Sequence, residues 1–287
     1  MMINDQFVSA TDPSAGGTLQ QLNLQLGDFY NRPEVSGYYH LAHSMNESWS
    51  SNSYHVIVRL MMISGMSVLD LGCGSGHALI NLCDRNVLYT GVDWSEQQIS
   101  RNKKTFGSKG NFIATSLYMT GLPHESYDIC FSFYVLEHLV WPHLFLKELV
   151  RLTRPGGWIV LLFPDFRPAG RIPSLPYGRI VSPLAEKLRR GHLFDAVIHL
   201  FQRAIYYPWV MSRYASKKYP FLINTAPSCL RGAYYPDNDA VYFTDRSEVV
   251  CAITQLGAID CTEDQCRRHN RRWPIPRGTA LIVARKL

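Results

Sequence analysis

The stretch "VLDLGCGSG", residues Val68 to Gly76, decides the fold. Its apolar run ends in an acid, Asp70, and glycines follow at every second position, including Gly72 and Gly74. In an open parallel sheet, the turn after a strand is where the backbone approaches a ligand most closely, and glycine removes side chains that would block it. A helix that follows points its free backbone amides at the bound group. The stretch therefore predicts a strand, a ligand-binding turn and a helix.

Strands and helices alternate on both sides of this stretch. Helical segments of about ten residues separate the predicted strands, and Ser95 has the position of an N-cap in one of them. This alternation predicts an α/β, Rossmann-like, doubly wound and mostly parallel sheet. The predicted strands are "SVLDLG", "LYTGVD", "NFIATS", "YDICFSFY" and "GGWIVLLFP", with two closing strands, "IDCTED" and "TALIVARKL", after the helix "FTDRSEVVCAITQLGA".

Four parts of the chain follow from this pattern. Residues 1–53 are an N-terminal arm and helical lid, in which the polar first 30 residues are expected to form a loose arm. Residues 54–164 are the ligand-binding core. Residues 165–240 interrupt the alternation and are interpreted as an inserted basic and aromatic cap. Residues 241–287 complete the core sheet.

Composition restricts the class of protein. The chain has 287 residues, 46% of them apolar, and a net charge of +6. It can bury a sizeable core, and nothing marks it as disordered, fibrous or framed by disulfides. Its seven cysteines have no regular spacing, which predicts reduced thiols and no metal site. Neither a secretory signal nor an 18-residue apolar run is visible, so we expect a cytoplasmic protein.

Asp93 ends the second predicted strand, about 20 residues beyond the glycines. An acid at this place reaches ribose hydroxyls with two acceptor oxygens. The glycine turn and this acid together predict a cofactor that contains a nucleoside.

These residues resemble the class I S-adenosylmethionine-dependent methyltransferases. The segments "YDICFSFYVLEHL" and "LKELVRLTRPGGWIVLLFP" extend the resemblance, which is strong over residues 54–164 and weak over 241–287. The nearest branch contains ubiquinone- and menaquinone-type small-molecule methyltransferases. The resemblance implies S-adenosylmethionine as cofactor and S-adenosylhomocysteine as product. It also implies an O, N or C nucleophile of a small molecule as acceptor, for instance an aromatic or acidic metabolite of biosynthesis.

The resemblance also assigns cofactor-binding roles to particular residues. Ser116 or the backbone of Leu117 takes the adenine amine, because the acid that the family usually has there is missing. Tyr38 and Phe133 are expected near the sulfonium and the methionine portion. The remaining assignments are the amino-acid end to Asp70, Gly72, Cys73, Gly74 and Gly76, the ribose to Asp93, and the adenine to Trp94.

His138 is the first candidate for a general base, because it follows the fourth strand on the cofactor side and imidazole titrates near neutral pH. A structural role, in which it bonds the backbone or Glu137, is the alternative. His40 and His43 are further candidates, because the N-terminal helical segment is expected to fold over the cofactor.

The inserted cap leaves several partners open. Between Arg151 and Pro220 there are twelve Lys and Arg against three Asp and Glu, interleaved with aromatic residues. Such a surface suits an acidic or flat small molecule, a solvated face, or nucleic acid, although no RNA-binding module accompanies it. Peripheral membrane contact through the amphipathic segment 192–211 is a further alternative. For the whole protein, the alternatives are a nicotinamide (NAD-type) oxidoreductase, an RNA or lipid methyltransferase, and a non-catalytic cofactor binder.

Overall fold

The computed structural model describes residues 6–31, 54–175, 184–214, 220–231, 237–272, 275 and 278–287. The predictions for Tyr38, His40 and His43 lie outside the described residues.

Seven strands form one sheet in the order β4-β3-β2-β5-β6-β9-β8, and β1 pairs with β7 in a separate two-stranded sheet. Their bounds are β1 Phe7–Ser9, β2 Ser67–Leu71, β3 Leu88–Asp93, β4 Asn111–Ala114, β5 Tyr127–Phe133, β6 Thr153–Pro164, β7 Leu222–Asn224, β8 Ala258–Asp260 and β9 Thr279–Lys286.

Strands β2 to β6 pair in parallel, whereas β9 runs antiparallel to both β6 and β8. From β2 the chain proceeds outward through β3 to β4, and then returns to the other side of β2 with β5. The strand order thus reverses between β2 and β5, and ligands of such sheets bind at the carboxyl ends of the strands beside this reversal. The predicted doubly wound, mostly parallel sheet is confirmed.

Helices cover both faces of the seven-stranded sheet. Single turns of 3-10 helix connect several elements, among them Leu136–His138 after β5. The α-helices are α1 Gly16–Asn31, α2 Val56–Met61, α3 His77–Leu82, α4 Glu96–Phe106, α5 Pro142–Leu152, α6 Phe166–Ala169, α7 Leu184–Arg189, α8 Leu193–Phe201, α9 Tyr207–Ser212, α10 Arg246–Gln255 and α11 Thr262–Arg268, with a π-helix, Gln202–Tyr206, between α8 and α9.

The apolar core has two halves because successive strand residues point to opposite faces of a sheet. On β2, Leu69 packs into the half that contains α1 and α5, whereas Val68 packs into the half that contains α2 and α3. Both side chains are fully buried. The near-continuous apolar runs of the sequence are therefore explained by strands covered on both faces.

The prediction of a loose arm is wrong for residues 6–30. Asp12 accepts the backbone N–H of Ser14 and caps a short 3-10 turn, from which α1 continues to Asn31. Leu19, Leu22 and Leu26 recur at helical spacing and are buried in the core. The segment is polar on average, so its composition does not indicate a packed helix. Its leucines recur at helical spacing, however, and together they form an apolar face that packs against the core.

Two other local predictions need correction. The strand predicted as "IDCTED" ends at Asp260, and the helix α11 begins at Thr262. Asp260 accepts the backbone N–H of Thr262 and turns the chain out of the sheet. By contrast, Ser95 is confirmed as the N-cap of α4, because its hydroxyl accepts the N–H of Gln98.

Candidate active site

The glycine turn after β2 consists of residues that need left-handed backbone angles. Gly72, Gly74 and Gly76 have φ of +82°, +47° and +71°. A Cβ on Gly72 would lie 2.3 Å from Cγ2 of Val135, so packing alone requires glycine there. A Cβ on Gly74 would meet no atom within 4 Å, so the space in front of Gly74 is open. The turn thus presents bare backbone to open space at Gly74 and to the side chain of Val135 at Gly72.

Asp93 ties the end of β3 to this turn. Its Oδ2 accepts the N–H of Gly74 at 2.9 Å, and its Oδ1 accepts the N–H of Ser95 at 2.9 Å. The carbonyl of Gly74 in turn accepts from Nδ2 of Asn102 at 2.7 Å. Burial raises the pKa of Asp93, and hydrogen bonds from backbone amides oppose that rise. A carboxylate has acceptor oxygens only, which is the acceptor chemistry that ribose hydroxyls require.

Asp70 lies behind the turn and is buried. The hydroxyl of Tyr89 donates to its Oδ2 at 2.7 Å. Burial raises the pKa of Asp70 to about 7, although the bond from Tyr89 lowers it. Cys73 is also buried, and its sulfur would lie 3.0 Å from a Cβ on Gly91. Asp70 and Cys73, both predicted to bind the cofactor, therefore have buried side chains that pack behind the glycine turn.

The residues predicted at the adenine end have different environments. Ser116 is exposed, and its hydroxyl accepts the N–H of Tyr118, whereas Leu117 is buried in the core. Trp94 lies against α1, where a Cβ on Gly27 would come within 2.8 Å of its ring. The N-terminal helix thus contacts the residue that follows Asp93.

Aromatic rings collect at the carboxyl end of β5. The ring of His55 meets that of Phe133 edge to face at 4.9 Å and that of Tyr134 at 5.6 Å. Tyr134 is 45% exposed and has a φ of +55°, a conformation uncommon for a bulky residue. Burial, together with nearby His77, lowers the pKa of His55 to about 4, so this imidazole is neutral at physiological pH.

His138 lies between two carboxylates. Its Nδ1 is 3.5 Å from Oδ2 of Asp239, and its Nε2 is 3.7 Å from Oε1 of Glu137. The hydroxyl of Tyr30 donates to the same Oδ2 of Asp239 at 2.9 Å. The His138 side chain is 23% exposed, while those of Asp239 and Glu137 are almost fully buried. An imidazole held between buried acids, with one edge exposed, has the arrangement of an oriented base.

The pKa values of His138 and Glu137 depend on each other. Burial lowers the pKa of His138, but the charges of Asp239 and Glu137 outweigh burial and raise it above its usual value. Burial raises the pKa of Glu137 to about 7, and the nearby His138 opposes the rise. The protonation of His138 is therefore coupled to that of Glu137.

The chain brings Asp239 to this site from more than 100 residues downstream of β5. The carbonyl of Glu137 accepts the backbone N–H of both Val241 and Tyr242, which holds the downstream segment against the turn after β5. Arg171 bonds Asp237 at 2.8 Å in the same segment. Sequence reasoning missed Asp239 because no local pattern in "YYPDNDAVY" distinguishes either of its two acids as a functional residue. Sequence reasoning also missed Asn102, although its spacing could have indicated it. Asn102 follows Gln98 by four residues, so both polar side chains lie on the same, inner face of α4.

The comparisons with known proteins agree on this part of the chain. Residues 69–161, which include the glycine turn, match the family model described as "Methyltransferase domain". An uncharacterised methyltransferase of Mycobacterium bovis is 34% identical over 100 residues, 34% of this chain and 39% of that protein. One from Mycobacterium ulcerans is 27% identical over 165 residues, 57% of this chain and 62% of that protein.

A solved structure supports the same assignment of the fold. It is an S-adenosylmethionine-dependent methyltransferase from Mesorhizobium loti, 15% identical, with a TM-score of 0.53 over 83% of this chain and 99% of that one. Residues 69–161 of this chain are similar to methyltransferase domains, and its sheet has the class I methyltransferase fold. The chain spans about two-fifths of the length of the first of these curated relatives.

Within the described residues, no helix is long and apolar enough to cross a membrane. The same ranges bring together no group of three or more His, Cys, Asp or Glu that could hold a metal ion.

Proposed function

We propose that the chain is an S-adenosylmethionine-dependent methyltransferase that acts on a small molecule. The observation that carries the proposal is the pairing of Asp93 with Gly74, in which an acid at the end of β3 fixes a bare, open glycine turn at the point where strand order reverses. The match of residues 69–161 to methyltransferase domains supports it.

The residues at this edge fit the cofactor. Asp93 is the acid proposed to accept the ribose hydroxyls, and the turn at Gly74 leaves room for the amino-acid portion. Trp94 and Ser116 remain the residues proposed for the adenine, and Phe133 for the methionine portion. The bound cofactor would supply an electrophilic methyl group that needs no further activation by the protein.

This chain's own residues then orient the acceptor and take its proton. His138 is the proposed base for an O or C nucleophile, and it accepts the proton at Nε2, since its Nδ1 faces Asp239. Asp239 positions the imidazole and stabilises the imidazolium that forms. Because displacement needs alignment more than acid–base chemistry, the aromatic wall of His55, Phe133 and Tyr134 contributes by holding the acceptor and excluding water.

An aromatic or acidic metabolite is the acceptor class that we propose. Ring edges at the end of β5 suit a flat molecule, and the basic residues of 165–240 suit a negative one. A lipid acceptor is the second candidate, because the exposed apolar segment 193–209 lies beside the same edge of the sheet.

The test is transfer of an isotope-labelled methyl group from S-adenosylmethionine into fractionated cell extract, with Asp93→Ala as the blank. Asp84→Ala is the matched control, since Asp84 is exposed and pairs with Arg59 on the surface, away from the turn. Label in a small-molecule fraction, present with the control and absent with the blank, supports the proposal. Label in RNA or protein contradicts the acceptor class, and a lack of cofactor binding by calorimetry contradicts the enzyme itself.

A further inference from the structure

The segment from α8 through the π-helix to α9 presents an apolar ridge to solvent. Ten residues between 193 and 209 are exposed, and nine of them are apolar; the one charged residue is Arg203. The ridge, as defined here, consists of large side chains at helical spacing that are 40–65% exposed: Leu193, Val197, Leu200, Phe201, Ile205 and Trp209. A soluble surface rarely carries a contiguous apolar patch of this kind without a function.

The opposite side of the same segment is anchored in the protein. Lys187 is fully buried and pairs with Asp195 at 2.8 Å. Val210 is fully buried in a cluster with Phe7, Ile172, Leu222 and Phe243. The ridge is therefore turned outward by the packing of the other face.

The segment also sits at the functional edge of the sheet. The hydroxyl of Tyr207, the first residue of α9, donates to the carbonyl of Arg167 at 2.7 Å. Arg167 belongs to α6, which begins two residues after β6 ends. A surface bound by the ridge would lie beside the carboxyl ends of the strands.

Charge accompanies the apolar side chains. Residues 184–214 contain five Lys and Arg against two Asp and Glu, and one of those acids, Asp195, is used by the buried pair. Arg189, Arg190 and Arg213 are exposed at the two ends. The Arg213 guanidinium lies 5.0 Å above the ring of Trp209, and Trp with Arg is a combination suited to a membrane–water interface.

We propose that this ridge docks in the plane of an anionic lipid surface. An amphipathic helix with Leu, Phe and Trp on one side and arginines around it buries its apolar side chains at the headgroup boundary, and the arginines attract anionic headgroups. A protein partner is the less favoured occupant, because a protein interface needs polar groups that fix its register, and the exposed residues of 193–209 are one arginine and nine apolar residues. The proposal does not depend on methyl transfer.

The test is sedimentation of the full chain with vesicles of phosphatidylcholine alone and of phosphatidylcholine mixed with phosphatidylglycerol. We expect binding to the mixed vesicles that weakens as salt rises. The double variant Phe201→Glu/Ile205→Glu should lose most of the binding, and Arg203→Glu should lower the partition coefficient about tenfold, because charge near an anionic surface contributes strongly.

Leu88→Glu is the matched control, since Leu88 is 66% exposed at the amino end of β3, on the other edge of the sheet. It should bind as the wild type does. Circular dichroism checks that each variant is folded, and the wild-type salt and lipid dependence tests the proposal even where a variant fails to fold. Three results would overturn it: wild type that stays in solution with both vesicles, equal binding by the double variant, and self-association that the double variant abolishes without any vesicle binding.

Discussion

Asp93 accepts the backbone N–H of Gly74 at 2.9 Å and thereby joins the ends of β3 and β2. This hydrogen bond holds the turn open without the help of a side chain at Gly74, since no atom lies within 4 Å of its would-be Cβ. The acid has two tasks here, to fix the turn and to accept hydrogen bonds from a ligand. Its removal should therefore affect binding more than folding.

Asp93→Ala should weaken binding of S-adenosylhomocysteine by about tenfold to a hundredfold, because charge-assisted hydrogen bonds contribute roughly 1.5–3 kcal/mol each. Isothermal titration calorimetry measures the loss. Asp84→Ala, at an exposed surface pair, should bind as the wild type does. Unchanged affinity in Asp93→Ala would remove the ribose assignment.

Gly72→Ala and Gly74→Ala should separate folding from binding. Both substitutions force alanine into a left-handed conformation, at about 1–2 kcal/mol each. Gly72→Ala adds the collision with Val135 and should lower the free energy of unfolding by roughly 1–3 kcal/mol more, which denaturant titration measures. Gly74→Ala should fold with the smaller loss and yet bind the cofactor poorly.

The variant Val135→Ala tests whether the loss of stability in Gly72→Ala comes from the collision with Val135. In the background Val135→Ala, the added cost of Gly72→Ala should shrink, because its collision partner is gone. Equal costs in both backgrounds would contradict the contact, and full cofactor affinity in Gly74→Ala would mean that the open space is not part of the cofactor site.

Asp239→Asn should lower the pKa of His138, because the Asp239 charge raises it in the wild type. A base works when it is neutral, so the acid limb of the kcat/KM profile should move to lower pH. Titration of the His138 ring by NMR measures the same shift without an acceptor. A merely structural Asp239 would leave the pKa in place and change only the thermal midpoint.

Tyr30→Phe provides the control for this group. It removes the hydroxyl that donates to Asp239 but keeps the ring, so it should alter the pKa of His138 less than Asp239→Asn does, and in the opposite direction, because the Asp239 charge is then less neutralised. A shift of equal size and sign in both variants would contradict the assignment of Asp239 as the positioning residue.

The ionisation of Asp70 should lower the free energy of unfolding as pH rises from about 4 towards 7. Burial raises the pKa of this carboxyl from 3.8 to about 7, so the folded state holds a proton that the unfolded chain has released. The stabilisation is complete below the unfolded pKa and is lost as pH rises through the folded pKa, with a slope of at most about 1.4 kcal/mol per pH unit.

Asp70→Asn keeps an acceptor for Tyr89 and removes the titration. The variant should therefore flatten the dependence of unfolding free energy on pH, measured by urea titration at pH 5 to 8, whereas Glu263→Gln, at a half-exposed acid of α11 that pairs with Arg267, should leave it unchanged. Stability that rises over this range in the wild type, with no flattening in Asp70→Asn, would mean that Asp70 is ionised throughout.

The strands of the core, the N-cap Ser95 and the methyltransferase domain followed from the sequence, because they rest on local patterns: apolar runs, glycine spacing and a hydroxyl before a helix. The first helix did not, since its buried stripe of Leu19, Leu22 and Leu26 is diluted by glutamine and asparagine. The placements of Tyr38, His40 and His43 and the identity of the acceptor stay predictions.

By itself the sequence determined the sheet, its ligand-binding edge and the two residues, Asp93 and Gly74, that most constrain what binds there. Only the tertiary structure decided that Asp239 and Tyr30 meet His138, and that the apolar side of 193–209 faces outward. The physical reason is the range of the interactions. Helix and strand periodicity is set by neighbours along the chain, whereas a hydrogen bond between residues 209 positions apart depends on how the whole core packs.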